Sequence, residues 1–322
     1  MKNLMIPALA LFLSAAAQAD DSPLWMRYCA ISPDGQTIAF SYQGDIYTVP
    51  SSGGKARQLT THPAHDTRPV WSPDGQRIAF ASNRSGNFDV FLMNKEGGEP
   101  KRLTTHSTNE YPTTFKDNGH ILYLANVLQD AKDIQFPGTR FMQVYEISTD
   151  GGRPDLYSSL YMENIALSKD GSKLLYNDYK GYEDPWRKHH QSSITRDIWL
   201  CTLGKDRSFQ KVTTFGGEDR NPVWAADGAS FYYLSEEKGS FNIFKKDLAG
   251  NSEKQITTHT THPVRFLTSD NSGTLCYSYD GEIYTVKEGQ KPAKVNILIV
   301  ADKIENDVIH RLLTDVSKDT AV

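Results

Sequence analysis

One four-residue turn recurs six times along this chain, at roughly 40-residue intervals, and few folds accommodate that. Ser32-Pro33-Asp34-Gly35 returns as Ser72-Pro73-Asp74-Gly75. Degenerate copies follow at Lys116-Asp117-Asn118-Gly119, Ser168-Lys169-Asp170-Gly171, Ala225-Ala226-Asp227-Gly228 and a lengthened Thr268-Ser269-Asp270-Asn271-Ser272-Gly273. Successive closing glycines lie 40, 44, 52, 57 and 45 residues apart. Each residue type suits a hairpin corner: Pro presets φ, Asp accepts hydrogen bonds from the backbone just ahead of it, and Gly accepts positive φ.

Strand-forming runs flank every turn. Pro69-Val70-Trp71 precedes the second and Arg77-Ile78-Ala79-Phe80 follows it; Asn221-Pro222-Val223-Trp224 and Ser230-Phe231-Tyr232-Tyr233 repeat the arrangement. A third run recurs downstream, for example Asp45-Ile46-Tyr47-Thr48-Val49 and Asp197-Ile198-Trp199-Leu200. A fourth strand is expected to end in an apolar-Thr-Thr motif, at Leu59-Thr60-Thr61, Leu103-Thr104-Thr105, Val212-Thr213-Thr214 and Ile256-Thr257-Thr258, with the fourth and sixth repeats lacking it. Four short strands per repeat predict an all-β, six-bladed β-propeller of four-stranded antiparallel blades. A β-solenoid needs shorter repeats, and a sandwich would not reuse one turn six times. Because all four strands of each unit follow in order, and little chain precedes Tyr28, the first and last blades are expected to meet at an open seam, held by side-chain packing alone.

Composition permits this. Hydrophobic residues make up 38% and charged residues 23% of 322, enough for a packed core, and the net charge of -4 comes without a basic stripe, which argues against nucleic acid as a partner. Lys2, the apolar run Leu4 to Ala17 and Ala17-Gln18-Ala19 read as a secretory signal peptide over residues 1–19. The run is short for a membrane span, so the mature chain is expected in the periplasm with no membrane attachment. Cys29, Cys201 and Cys276 form no CxxC pair. They read as small buried hydrophobes, with one disulfide and one free thiol open in an oxidising compartment.

The Ser-Pro-Asp-Gly blade resembles the TolB-type propeller superfamily. More specifically, Pro23-Leu24-Trp25-Met26-Arg27-Tyr28, Asn87-Phe88-Asp89-Val90, residues 181–190 (Gly-Tyr-Glu-Asp-Pro-Trp-Arg-Lys-His-His) and Ser192 to Trp199 resemble the N-terminal propeller of tricorn-like serine proteases. The resemblance implies a six-bladed propeller over residues 20–300 with an open seam. In that family a seven-bladed propeller and a PDZ-containing protease core follow, and Ala301 to Asp307 resembles the bridge between the two propellers, making 301–322 an interdomain linker. The chain stops at Val322, so no family catalytic residue can be carried onto it. It reads as a shortened paralogue or a truncated reading frame.

No catalytic motif offsets that. G-x-S-x-G, Walker and H-E-x-x-H patterns are missing. His62, His106 and His259 follow the Thr-Thr motif at equivalent points; they form either a pH- or anion-responsive ring or, as repeat logic favours, caps of the connections between blades. Glu183, Asp184, His189 and His190 are the nearest approach to a metal cluster, but adjacent histidines seldom reach one ion, and Trp186 beside Arg187 favours a partner-contacting loop. Trp71, Phe115 and Trp224 recur with the blades and read as inter-blade core. The tail's Ile304, Val308, Ile309, Leu312, Leu313 and Val316 fit an amphipathic helix, where the resembling family has linker and strand. The expected function is non-catalytic binding of a peptide or protein, without cofactor or metal, through an interface at Trp186, Arg187, His189, His190 and Arg196. The alternative is a regulatory part of a tricorn-like serine protease whose core is encoded separately.

Overall fold

The computed structural model describes residues 23–127, 142–181, 192–250 and 252–300. They form six antiparallel four-stranded sheets, each built from strands taken in chain order. Blade 1 comprises Arg27–Ile31, Thr37–Tyr42, Asp45–Pro50 and Arg57–Gln58; blade 2, Asp66–Trp71, Arg77–Ser82, Asp89–Asn94 and Lys101–Arg102. Blade 3 comprises Glu110–Asp117, His120–Ala125, Gln143–Ser148 and Asp155–Ser158; blade 4, Glu163–Leu167, Lys173–Asn177, Ile198–Thr202 and Ser208–Lys211. Blade 5 comprises Asp219–Trp224, Ser230–Ser235, Asn242–Asp247 and Glu253–Gln255; blade 6, Arg265–Ser269, Leu275–Tyr279, Glu282–Val286 and Ala293–Lys294. First strands of adjacent blades touch all the way round, blade 6 against blade 1 included, and so wall a central channel.

Period-two alternation explains why six sheets form one ring. In blade 3, Ile121, Tyr123 and Ala125 pack against Ala79, Val90 and Leu92 of blade 2, while Leu122 and Leu124 pack against Leu174 and Tyr176 of blade 4. Every middle strand is thus apolar on both faces, and each fully buried side chain of this size contributes about 1.5–3 kcal/mol. Trp71 and Phe115 lie in such inter-blade clusters and Trp224 packs against another, as expected. The indole N–H groups of Trp71 and Trp224 also donate to the carbonyls of Ala30 and Ala166 on the preceding blade, each at 2.9 Å.

Local hydrogen bonds fix the repeat. Ser32 Oγ donates to Asp34 Oδ1 at 2.5 Å, and the same carboxylate accepts the Gln36 N–H at 3.0 Å; Ser72-Asp74 and Ser168-Asp170 behave alike. The serine hydroxyl beside Asp170 holds that carboxyl down at about 2. The apolar-Thr-Thr motif lies past the fourth strand rather than within it, and its first threonine latches that strand to the third. Thr60 Oγ1 accepts the Ile46 N–H at 3.0 Å and donates to Asp45 Oδ1 at 2.9 Å; Thr104, Thr213 and Thr257 accept from Val90, Ile198 and Ile243. The blades without the motif are the third and the sixth, not the fourth and sixth: Val212-Thr213-Thr214 belongs to blade 4, and blade 3 carries Ser158 at the end of its fourth strand.

Among the described residues no strand is exchanged between blades 1 and 6, so the seam is open, but it is not held by side-chain packing alone. Past blade 6 the chain reaches the outer edge of blade 1, where Ile297–Leu298 pairs in parallel with Gly54–Lys55. Gly54 N–H donates to Asn296 O and Ala56 N–H to Leu298 O, both at 2.8 Å; Met26 N–H donates to Gly281 O at 3.1 Å. The clasp needs Gly53, whose φ is +90° and whose missing Cβ would stand 2.7 Å from Asn296 O. Gly54, at φ +122°, has open space around it. Gly53→Ala is therefore expected to cost about 2–4 kcal/mol and Gly54→Ala about 1–2 kcal/mol, since only the first adds a backbone clash to left-handed strain. Urea unfolding midpoints test this, and equal losses would show that the clasp contributes nothing.

Candidate functional site

The first strand of every blade carries an irregularity near its start. The register slips between Arg27 and Ala30, Thr67 and Val70, Pro112 and Thr114, Glu163 and Ala166, Arg220 and Val223, and Arg265 and Thr268. Five bulges place a non-glycine residue in the left-handed region: Tyr28 (φ 53°), Arg68 (55°), Asn164 (50°), Asn221 (55°) and Phe266 (55°). Such a conformation costs about 1–3 kcal/mol per residue. A bulge re-aims its side chain, and these five residues all line the channel, which encloses about 1290 Å³.

The bulges lie at the start of each first strand and the Asp-Gly turns at its end, so they occupy opposite mouths. Antiparallel order brings the loops between second and third strands, and the connections between blades, to the bulge mouth as well. The two longest such loops leave Ala125 and return at Gln143, and leave Asn177 and return at Ile198. Leu24 and Trp25, 52% and 69% exposed, join the same rim beside Gly281.

The bulge mouth has two unlike halves. Across blades 3, 2, 1 and 6 runs an aromatic and cationic arc. The Arg68 guanidinium lies 4.4 Å from the Tyr111 ring centre and 5.3 Å from that of Tyr28, and Tyr28 packs on Phe266 at 4.5 Å. Arg68 has no carboxylate partner among the described residues. Across blades 4 and 5 the mouth is ionic. Arg196 is 6% exposed; its Nε meets Glu163 Oε2 at 2.6 Å, its Nη1 meets Glu218 Oε1 at 3.3 Å, and Arg220 shares Glu218. Asn221 reproduces strand pairing with its side chain, accepting from Leu267 N–H at 3.0 Å and donating to Leu267 O at 2.9 Å on blade 6.

Of the residues singled out from sequence, Arg196 lines the channel as an interior ion pair. Trp186, Arg187, His189 and His190, with Glu183 and Asp184, lie outside the described residues, as do residues 1–19, where a signal peptide is expected, and the tail. His62 and His106 cap their own connections, each Nδ1 accepting the N–H two residues on, at 3.0 and 3.2 Å. His259 differs: it stacks on Tyr279 at 3.8 Å and shares a hydrogen bond with Tyr277 OH, and burial lowers its pKa. No group of three or more His, Cys, Asp or Glu side chains suited to a metal ion occurs among the described residues. Tyr28, Arg68, Asn221 and Phe266 went unrecognised as channel residues in the sequence. A signal existed: Tyr28, Arg68, Pro112, Asn164 and Asn221 each stand four residues before the first residue of their turn, and Phe266 stands four before Asp270.

Buried carboxyls stand where blades join. Burial pushes Glu110 up to about 7, reinforced by Asp89, and pushes Asp219 up to about 7, reinforced by Asp197.

Sequence comparisons now bear on these features. A six-bladed open-seam propeller with an asymmetric channel mouth is the class of protein that the fold and site define. The family profile of the "Tricorn protease N-terminal beta propeller domain" matches residues 23–292, and the chain belongs to that family. A "Tricorn protease homolog" of Saccharolobus solfataricus is 22% identical over 287 residues, covering 86% of this chain and 25% of the relative. "Dipeptidyl-peptidase 5" of Porphyromonas gingivalis is 26% identical, covering 70% of this chain and 40% of its own length. Among solved structures, the tricorn protease superposes with a TM-score of 0.69 at 21% identity over 85% of this chain and 26% of its own, and TolB of Acinetobacter baumannii with 0.60 at 13% over 82% and 61%. The chain thus spans about a quarter of the tricorn relatives, and the match covers their propeller only.

Two outcomes are expected here. Arg196→Ala strands Glu163 and leaves Glu218 to Arg220 alone, and should lower stability by about 3–5 kcal/mol, read from denaturant unfolding; a loss under ~1 kcal/mol would show the cluster to be solvated. Glu110 and Asp219 ionise less readily folded than unfolded, so their stabilising contribution is complete below about pH 4 and is lost as pH rises to about 7. Asp219→Asn should flatten the fall in melting temperature between pH 5 and pH 8, and an unchanged slope would refute the assignment.

Proposed function

We propose that this chain is an exported, periplasmic propeller that binds peptide or protein partners at the bulge mouth of its channel and performs no catalysis itself. The observation that carries this reading is Arg68, held between Tyr28 and Tyr111 on a strained backbone, with no carboxylate partner among the described residues. Aromatic and arginine side chains dominate binding surfaces because they bring large area and charge at low entropic cost, and a cation over tyrosine contributes about 0.5–2 kcal/mol. Strain retained at bulky residues lining an open cavity is the usual companion of a site. Exposed Trp25 and Leu24, and the attachment of both long loops, extend the same face. Export rests on the apolar run Leu4 to Ala17 with its small-residue site at Ala17-Gln18-Ala19.

A second reading has its own support. The relatives are proteases about four times the length matched here, so the chain also fits as the peptide-handling part of a serine protease. Capture of peptides from a random library by the immobilised chain tests both. Retention should fall at least about tenfold on Arg68→Ala and change little on Lys205→Ala, a surface residue of blade 4. Retention indifferent to Arg68 would remove the mouth as the site, and peptide cleavage by the purified chain would overturn the non-catalytic reading.

A further inference from the structure

Two of the three cysteines face each other across the seam. Cys29, on the first strand of blade 1, and Cys276, on the second strand of blade 6, share one apolar cluster with Ile38, Phe40 and Ile283, and are 1% and 0% exposed. The Cys29 side chain points out of its own blade: its Sγ–H donates to Phe266 O of blade 6 at 3.3 Å, and its sulfur accepts from Ser278 Oγ at 3.5 Å. Thr268, paired with Cys276 in the blade 6 sheet, accepts the Ile31 N–H at 3.2 Å, which pins the two strands at the level of the thiols. The two thiols therefore lie in the same dry layer of the seam, with Cys29 Sγ reaching the strand of blade 6 that carries Cys276. Cys201 belongs to the cluster between blades 3 and 4 and has no thiol companion there.

We propose that Cys29 and Cys276 form a disulfide when the chain folds in an oxidising environment, joining the first and last blades covalently and leaving Cys201 as the free thiol. The step is thiol–disulfide exchange with a disulfide oxidant: the two thiols give up two electrons and two protons, one S–S bond forms, and the oxidant's S–S bond opens to two thiols. Burial pushes the Cys276 thiol well above its ordinary pKa, so exchange belongs to the interval before the seam packs. Once the seam is shut, the same burial shields the bond from reductants. A ring that shares no strand between its ends gains most from a cross-link there, because the loop it closes is nearly the whole propeller.

Peptide mapping decides the matter. The full chain is unfolded, refolded in reduced and oxidised glutathione, blocked with N-ethylmaleimide and digested with trypsin without reductant; the same map is made on native protein purified after export. The expected product joins residues 28–55 to residues 266–287, with only Cys201 blocked. Three blocked cysteines, or any bond to Cys201, overturns the proposal. The chain refolded in reductant should melt about 5 °C or more below the chain refolded oxidised, with the same difference in Cys201→Ala and none in Cys29→Ala/Cys276→Ala. A shift that persists in the double variant also overturns it.

Discussion

A four-stranded blade has two apolar faces and cannot stand alone. The structure depends on covering both faces of all six blades at once, and this can be met only by a closed ring. Five junctions are made between neighbours in the chain. The sixth joins residues at opposite ends of it, and there Met26, Ile38 and Phe40 must find Cys276, Ile283 and Ile297. Each junction buries several large side chains, at about 25 cal/mol for each Å² removed from water, so an unmade seam would expose a full blade face. The parallel pairing of Ile297–Leu298 with Gly54–Lys55 answers that need at the outer rim, and the hydrogen bonds around Thr268 answer it at the inner wall.

The same closure sorts the molecule into a mouth of turns and a mouth of bulges. At the turn mouth, Ser-Asp pairs consume their polar groups in local hydrogen bonds. At the bulge mouth, the first strands must converge, and a regular pleat cannot converge sixfold without a break. The break falls once per blade; in five of the six the backbone turns left-handed there and the side chain lines the channel, while Pro112 in blade 3 keeps a negative φ. Structural necessity thereby creates six positions whose chemistry is free to vary, and this chain fills them with Tyr28, Arg68, Pro112, Asn164, Asn221 and Phe266.

Much of this was legible in residue order. The six turns located six blades, runs such as Arg77-Ile78-Ala79-Phe80 marked the strands beside them, and the aromatic residues Trp71, Phe115 and Trp224 reported the junctions. The apolar-Thr-Thr motif was seen but misread as strand, because its threonine acts through its hydroxyl on the neighbouring strand, a bond that no propensity records. The channel residues were missed for a related reason: a bulge shows as one slip in register, and register belongs to a pair of strands rather than to either one.

Residue order alone carried the turn type and strand order within each repeat and, through the count and wording of the repeats, the blade number and membership of the tricorn N-terminal propeller family. Only the tertiary structure decided what depends on the sum of six inter-blade rotations: that Gly53 meets Asn296, that Cys29 meets Cys276, and that Arg68 lies between tyrosines of two other blades. Repeat chemistry acts over a few residues, whereas these contacts depend on the accumulated twist and tilt of the whole ring, which no short stretch of the chain contains.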